Sequence, residues 1–401
     1  MPTYPVTAPV NGINQGLFPF NVNRQFFKEW VQITPLWNLM GNEMTRPIVR
    51  HQMRSGEGWQ YRVGKLNALD YTKPVLDFNQ VSGQGQYQKV DEDEIGCQGI
   101  SFPVVIKGRQ LLDLGTPIDL PAAVRPQLIE ASQRYLNKNL FDSAMTSNYA
   151  VATQKPSYDR IVIAGANAGG TAAANANDRT TYNGLAGITT VLNAMNGGVA
   201  YNQNGLSANH LLKLKRYATQ GGAMNGAVAA NGTTIEDAIR PAYMKSRAGW
   251  PMNDYIYLCS SQTIQTLYQD PMFFQSTAAR GTVIDAADQP QTIYGSEYHG
   301  KFFGIHIYEV KDLANYMITS QNGNFTVAWE LFIGAGAWSL GWYEEPTVAF
   351  KDDQINRVQE FTTHEIRGQK ALKFAANQAS TIAAGIPTVE QGIIHSFVRI
   401  A

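Results

Sequence analysis

The segment of this 401-residue chain closest to a nucleotide-binding motif is Gly295-Ser-Glu-Tyr-His-Gly-Lys301. Its spacing matches a Walker A loop, in which backbone amides and the lysine bind phosphate oxygens. Phe302, however, stands where a serine or threonine hydroxyl must hold Mg²⁺. The next residues predict a strand, whereas a phosphate loop opens a helix whose N-terminus faces the phosphates. A glycine-rich turn into a strand is favoured, and nucleotide binding through Lys301 stays open as the alternative, an enzyme.

Metal-ligating and nucleophilic residues form no recognisable pattern. The six histidines contain no HxxxH or HxH pair and stand at positions 51, 210, 299, 306, 364 and 395. His299 and His306 are near each other, without a cysteine or carboxylate at ligand spacing. No GxSxG motif occurs, and neither Cys97 nor Cys259 has a histidine partner in sequence. We therefore predict no catalytic, cofactor-binding or metal-binding residue, no cofactor, and a chain that is not an enzyme.

Two charged clusters, one acidic and one basic, are candidate binding sites. The acidic run Asp91–Glu94 lacks the glycine-punctuated alternation of a calcium loop. A cluster that faces solvent or a partner is favoured. If it faces a partner, Arg125 or Lys138 of a neighbouring copy would supply the opposite charges. The densest basic group, Lys213–Arg216, makes one small helical face and no nucleic-acid-binding stripe.

The overall composition excludes several classes of protein. The chain has 32 Lys+Arg and 32 Asp+Glu, so its net charge is zero, which argues against bulk neutralisation of phosphates. Only 16% of residues are charged, while Asn and Gln number 28 each. With 44% hydrophobic residues there is ample material for a core, and the length suggests two or three domains. No apolar run could span a bilayer, residues 1–16 lack the basic and apolar regions of a secretory signal, and two cysteines make no disulfide framework.

The first hundred residues predict an arm followed by a ribbon. An apolar stripe of helical spacing is formed by Phe26, Trp30, Ile33, Trp37 and Met40. Pro35 should divide it into two short helices. Strands are predicted over Trp59–Val63 and Ile100–Ile106, and the long glycine- and glutamine-rich stretch between them is best explained by a two-stranded arm. Because such a ribbon is marginal alone in water, we expect it to lie on another surface, with another subunit as one candidate. We expect deletion of 65–95 to spare the folding of the core.

The remaining elements predict an α+β fold, with helices first and strands later. Asp119 can cap a long helix that extends to about residue 145, and shorter helices are predicted over His210–Ala218 and from Ser261 to Tyr268. The predicted strands of the second half are Tyr255–Cys259, Gly304–Val310, Val327–Ile333, Ala337–Trp342, Thr347–Phe350, Arg357–Ile366 and Gln391–Ile400.

The order of these segments resembles the major capsid proteins of tailed bacteriophages, most closely the family of podoviruses that package a large virion RNA polymerase. The likeness runs from about residue 24 to 400, and each motif is weak alone. Its pieces are Phe26–Trp30, GWQYRV at 58–63, Gln110–Met145, IRP at 239–241, Tyr255–Cys259, Leu267 with Asp270-Pro271, Gly295–Glu309, GAGA at 334–337, IRGQK at 366–370 and EQGII at 390–394. Cys259-Ser260, in place of the expected His-Pro, and Gln369 depart from the pattern.

This resemblance implies the tailed-phage major capsid fold, an α+β fold that encapsulins and the herpesvirus capsid floor share. It implies an N-terminal arm (1–54), an extended loop (55–107), a peripheral domain (108–199) with a spine helix (119–146), an axial domain (200–345) and C-terminal strands that complete these domains (346–401).

The same resemblance implies a function without catalysis. The chain would assemble into hexamers and pentamers of an icosahedral shell around double-stranded DNA, with scaffolding, portal and decoration proteins as partners and no sequence-specific DNA binding. It would be a virion protein assembled in the host cytoplasm, without a membrane partner. An encapsulin-like nanocompartment shell is the alternative within the same fold.

Overall fold

The computed structural model describes the following residues of the chain: 36, 39–53, 60–66, 90–107, 120–144, 157–158, 161–163, 180–181, 186–187, 205–220, 239–245, 251–274, 298–319, 326–353, 358–375, 388–390 and 392–400. Within these ranges helices and strands are mixed, and most strands lie in the second half, as predicted. None of the described helices is long and apolar enough to cross a lipid bilayer.

The elements of the first part of the chain are β1 (Met40–Gly41), β2 (Ile48–Gln52), β3 (Gln60–Leu66), β4 (Val90–Gly96), β5 (Gln98–Lys107), α1 (Leu120–Ala144), β6 (Ser157–Tyr158), β7 (Ile161–Ile163), β8 (Thr180–Thr181), β9 (Ala186–Gly187), α2 (Ala208–Gln220) and β10 (Ala242–Lys245). Those that follow are β11 (Pro251–Cys259), α3 (Ser261–Tyr268), β12 (Tyr298–Phe302), β13 (Ile305–Glu309), a 3₁₀ helix (Lys311–Tyr316), β14 (Ile318–Thr319), β15 (Thr326–Ile333), β16 (Trp338–Asp353), β17 (Val358–Ala371), β18 (Lys373–Ala375), β19 (Thr388–Glu390) and β20 (Ile393–Ile400).

A five-stranded sheet in the order β1-β2-β16-β17-β5 forms one layer of the described structure. Its centre is the long antiparallel pair of β16 and β17, in register from Trp338↔Ala371 to Asp353↔Val358. β5 pairs with β17 along its whole length and forms one edge of the sheet. The edge position suits Pro103, because a proline has no backbone N–H to donate to a neighbouring strand.

The predicted long helix (119–146) is present as α1, and it packs across this sheet. Toward its N-terminus, Val124 and Leu128 pack on residues of β5 and β17. Toward its C-terminus, Leu140 and Phe141 enter the main core, where Phe141 meets Trp329 edge-to-face with ring centroids 6.2 Å apart. Each such apolar side chain contributes about 1.5–3 kcal/mol on burial. The helix is therefore held by tertiary packing along most of its length.

The second sheet has the order β12-β13-β11-β15-β20-β7-β8, with β10 beside β11 and β14 beside β15. β11 lies in its interior, parallel to β13 and antiparallel to β15. Its run Tyr255–Cys259 is buried on both faces, which explains why this strand is continuously apolar instead of alternating. Helices α2 and α3 pack on the same core through Leu211, Leu214 and Leu267.

Several element predictions need correction. Met40 lies in a short strand, not in a helical stripe, and Phe26, Trp30, Ile33 and Trp37 lie outside the described residues. The N-cap of α3 is Ser260 instead of Ser261. The predicted strands Ala337–Trp342 and Thr347–Phe350 are one strand, β16, interrupted only by register shifts between Trp342 and Thr347. The GAGA segment 334–337 is a turn between β15 and β16, where Gly336 has a φ of 66°.

Candidate functional site

Lys301, the lysine of the phosphate-loop candidate, pairs with a buried carboxylate of its own chain. The β12–β13 register places Lys301 opposite His306, and the turn between the strands contains Gly304 with a φ of 78°. Lys301 Nζ lies 2.5 Å and His306 Nε2 3.1 Å from Asp254 Oδ2. Burial alone would raise the pKa of Asp254, but the hydrogen bonds from His306 and Lys301 outweigh it and lower that pKa. The described part, Tyr298–Lys301, is a strand, which supports the glycine-rich turn and not a phosphate loop.

A serine, a histidine and a glutamate meet beside α3, but their hydrogen bonds do not make a catalytic triad. Ser261 Oγ donates to Glu309 Oε1, and His299 Nε2 lies 2.9 Å from Glu309 Oε2. These bonds lower the pKa of Glu309, the Ser261 hydroxyl having the largest effect. In a triad the serine must give its proton to the histidine. Here the serine bonds the carboxylate directly, so the cluster stabilises the link between α3 and β13.

Ser101 and His364 form a second serine–histidine pair, across β5 and β17, with Ser101 Oγ 2.7 Å from His364 Nδ1. They line an open groove of about 400 Å³ together with Glu344. Catalysis would also need a carboxylate that orients the imidazole. Within the described part of the chain no carboxylate is hydrogen-bonded to His364, so the geometry supports a cross-strand polar pair.

Both cysteines are buried and free, as the absence of a disulfide framework predicted. Cys97 Sγ contacts Met53 Sδ at 3.2 Å, and Cys259 Sγ donates to the carbonyl of Tyr308 at 3.3 Å. Burial raises the pKa of both thiols, which opposes formation of a reactive thiolate. Among the described residues, no three His, Cys, Asp or Glu side chains are close enough to hold a metal ion.

A buried polar network in the second sheet was not predicted from the sequence. The phenol of Tyr257 donates to Glu330 Oε2 and lies 3.1 Å from Ser396 Oγ, which is 2.8 Å from His210 Nε2. The amide of Ser260 donates to Glu330 Oε1 at 3.4 Å. Burial raises the pKa of Glu330 to about 7, so this carboxyl group is largely protonated below neutral pH. The sequence signal was available: Glu330 is a lone carboxylate inside the apolar run AWELFI.

The two-stranded ribbon predicted around the stretch between Trp59–Val63 and Ile100–Ile106 is formed by β3 and β4, and the predicted strand Ile100–Ile106 lies in β5 of the five-stranded sheet. β3 and β4 pair antiparallel from Gln60↔Gly96 to Leu66↔Val90. Residues on one face alternate as buried positions, namely Tyr61, Lys65, Asp93 and Ile95. This face packs on Leu372 and Phe374 of the same chain. The described part of the ribbon therefore lies on another surface, as expected, and that surface belongs to the same chain and not to another subunit.

The acidic run lies in β4, and three of its four carboxylates lie beside cations of the same chain. Asp93 is buried, with Oδ1 2.5 Å from Lys370 Nζ and Oδ2 accepting the amide of Lys373 at 3.0 Å. Glu92 and Glu94, on the exposed face, each lie 3.4 Å from Arg62. The guessed partner Lys138 pairs with Asp142 of its own helix. The exposed Glu92 and Glu94 agree with the expectation of a cluster that faces solvent or a partner, whereas the buried Asp93 does not. Deleting 65–95 would remove buried residues.

An exposed apolar patch lies at the end of α3 and the β12–β13 turn. Tyr268, Met272, Phe274 and Phe303 are 40%, 41%, 59% and 49% exposed. Tyr268 and Phe303 are connected through the buried rings of Phe273 and Phe302. Met272 and Phe274 flank Phe273 in the chain. Apolar side chains grouped on a surface are typical of interaction sites.

Comparison with known proteins shows which fold this arrangement belongs to. No family model matches the chain, and no curated protein matches its sequence. Solved structures that resemble it include the capsid of Ralstonia phage GP4 (13% identity, TM-score 0.61, 90% of each chain covered), the capsid of cyanophage Pam1 (14%, 0.55, 92% of each) and the head of Helicobacter pylori bacteriophage KHP40 (10%, 0.59, 91% of each). The identities are low, so the likeness concerns the fold. The chain has the α+β fold of these phage capsid proteins.

Proposed function

We propose that this chain is a major capsid protein of a tailed bacteriophage, whose copies form the hexamers and pentamers of an icosahedral shell around double-stranded DNA. One observation carries the proposal: the fold matches capsid structures of three phages over about nine tenths of each chain. The virion is then the place where the protein acts.

The surface of the described residues supports an assembling subunit. The exposed patch around Phe274 and Phe303 offers apolar area for contact with another copy. A net charge of zero suits a shell whose copies must lie side by side, because identical charges repeated around a ring repel each other. The clusters that could suggest catalysis are instead satisfied by hydrogen bonds within the chain, which favours a structural role over an enzymatic one.

The domain assignment follows from the same proposal. We assign 1–54 to the N-terminal arm, 55–107 to the extended loop, 108–199 to the peripheral domain and 200–345 to the axial domain, with 346–401 completing them. Helix α1 corresponds to the spine helix. The order of sequence motifs supports placement beside the podoviruses that package a large RNA polymerase. Scaffolding, portal and decoration proteins are the expected protein partners, and DNA would be enclosed without sequence-specific contacts.

An encapsulin-like shell with a protein cargo is the second candidate, because that family shares the fold. The resemblance to three phage capsids favours the viral shell. Nuclease treatment of intact particles isolated from their natural source separates the two, since DNA protected inside the particle indicates a virus and enclosed protein indicates a nanocompartment.

Electron microscopy of the purified chain, alone and co-expressed with the neighbouring genes of its source, tests the proposal directly. We expect capsomers or closed shells. A species that stays monomeric under all of these conditions contradicts an assembly function of either kind.

A further inference from the structure

The base of the β3–β4 ribbon is fitted into a notch of the five-stranded sheet. Gly341 of β16 and Gly368 of β17 lie directly opposite each other in the ladder. A Cβ atom on Gly341 would lie 2.4 Å from Tyr61 Cε1, and one on Gly368 would lie 2.5 Å from the carbonyl oxygen of Gly96. Glycine within a strand is typical of such close approach. The two glycines thus make room for the ribbon to press against the sheet.

Hydrogen bonds hold the ribbon at this notch. The hydroxyl of Tyr61 lies 3.1 Å from Ser339 Oγ and donates to the carbonyl of Gly368 at 3.3 Å. Tyr61 is buried, and its ring stacks on His51 with centroids 5.4 Å apart. This first attachment is close to the point where β4 passes, through Cys97 alone, into β5 of the sheet.

A second attachment lies farther along the ribbon, at Asp93. Its carboxylate receives Lys370 Nζ at 2.5 Å and the amide of Lys373 at 3.0 Å. Lys370 Nζ also donates to the carbonyl of Glu94 at 3.3 Å. Cys97 follows Asp93 by four residue steps, which corresponds to about 13 Å along the ribbon. A pivot about Cys97 would therefore have to break this charged pair, so two attachments determine the direction of the ribbon.

We propose that the Asp93–Lys370 pair and the Gly341–Gly368 notch, together called the ribbon joint, are positioning elements that set the angle at which the ribbon leaves the sheet and hence where it meets a second copy of this chain. The inference rests on the assembly role proposed above. A buried carboxylate that loses its cation is strongly disfavoured, so loss of Lys370 releases the ribbon instead of merely weakening it. Neither Asp93 nor Lys370 belongs to the apolar clusters that hold α1 and the second sheet.

The test uses the full chain with Lys370→Met, Lys370→Arg and, as a matched control, Lys351→Met, which removes an exposed lysine of the same sheet that lies 3.9 Å from Glu360. Amide hydrogen exchange is measured on the unassembled chain, and particle shape by electron microscopy. We expect exchange in β3 and β4 to become at least about tenfold faster in Lys370→Met with α1 unchanged. Irregular or open assemblies should replace closed shells, whereas Lys370→Arg and Lys351→Met should behave like the parent chain.

Gly341→Ala provides an independent route, because its methyl group must displace the Tyr61 ring. The same ribbon-specific increase in exchange supports the joint even if Lys370→Met folds poorly. Parental exchange rates in β4 of both variants, or regular shells of parental size despite a released ribbon, would overturn the inference. If the parent chain forms no shells, the assembly role fails, while the exchange comparison still supports or overturns the joint itself.

Discussion

The indole N–H of Trp338 donates a hydrogen bond to the backbone carbonyl of Leu140, with the two heavy atoms 2.9 Å apart. Both residues are fully buried, and 198 positions separate them in the chain. The bond connects the first residue of β16 with the C-terminal part of α1. It therefore fixes the long helix against the sheet at the end where Leu140 and Phe141 enter the core.

Replacing Trp338 by Phe should destabilise the chain by about 2 kcal/mol, because a buried hydrogen bond and part of a close-packed ring are lost together. The free energy of unfolding from denaturant titration measures the effect. Tyr343→Phe is the control on the same strand, since Tyr343 is exposed and should tolerate the change. Equal stability of the two variants would show that the indole does not hold the helix.

Gly334, in the GAGA turn, has no space for a side chain. A Cβ atom there would lie 2.4 Å from the carbonyl oxygen of Arg240 and 2.4 Å from Ile239 Cγ2. Gly334→Ala should therefore cost about 1–3 kcal/mol of unfolding free energy through overpacking. Gly99→Ala, at a strand position with nothing within 4 Å, should be neutral or slightly stabilising. Thermal unfolding of the two variants side by side decides whether this close approach matters.

The stability of the chain should fall between about pH 5 and pH 7 because of Glu330. Its pKa is raised from an ordinary 4.5 to about 7 in the folded state by burial, so the folded chain binds a proton that the unfolded chain has released. The stabilisation is complete when the pH is below the pKa of Glu330 in the unfolded chain, and it is lost as the pH rises through the pKa of Glu330 in the folded chain. The free energy of unfolding falls by about 3 kcal/mol in total.

Glu330→Gln, which stays neutral and keeps an oxygen for the Tyr257 hydroxyl, should remove this pH dependence. Denaturant titrations of parent and variant at pH 5, 6, 7 and 8 measure the free energy of unfolding of each. The difference between the two isolates Glu330, because the contributions of all other titrating groups cancel. A difference that stays constant over this range would be inconsistent with a raised Glu330 pKa.

Lys301→Met should make the chain more sensitive to acid. The pKa of Asp254 is lower in the folded chain than its ordinary value of 3.8, so the ionised carboxylate stabilises the folded chain at any pH above 3.8. This stabilisation is lost as the pH falls through the lowered pKa. Without Lys301 the pKa of Asp254 rises, so the midpoint of acid unfolding should move to higher pH. Arg134→Gln, which breaks an exposed pair with Glu130, serves as control.

Calorimetry with Mg²⁺-ATP should detect no binding to the parent chain. Binding to the parent that Lys301→Met loses would revive the nucleotide hypothesis.

Replacing residues 67–89 by a short Gly/Ser linker should leave the folded chain intact and prevent closed shells. The described contacts of the ribbon involve 60–66 and 90–97, and this change spares both segments. A deletion of 65–95 would remove part of them. A variant with the same 67–89 residues in scrambled order separates the effect of sequence from that of length. Circular dichroism checks the fold and electron microscopy the assembly; intact shells in the linker variant would refute a role for this stretch.

The amino-acid sequence by itself determined the type of the strongly patterned elements. A continuous apolar run identified β11, and helical spacing identified α1. These two inferences succeed because the periodicity of buried positions is a local property of helices and strands. The sequence also argued against catalysis, because Lys301 and the cysteines lack the motif partners that catalysis would need. The resemblance in segment order led to the same fold that the capsid structures share with this chain.

Only the tertiary structure decided which charges and glycines meet. Asp93 and Lys370 are 277 positions apart, and nothing in the local pattern of the acidic run distinguishes Asp93, which is buried, from Glu92 and Glu94, which face solvent. The notch of Gly341 and Gly368 exists only because two strands align in one register. Such pairings depend on the packing free energy of the whole chain, summed over contacts between distant segments, and a local pattern carries no information about that sum.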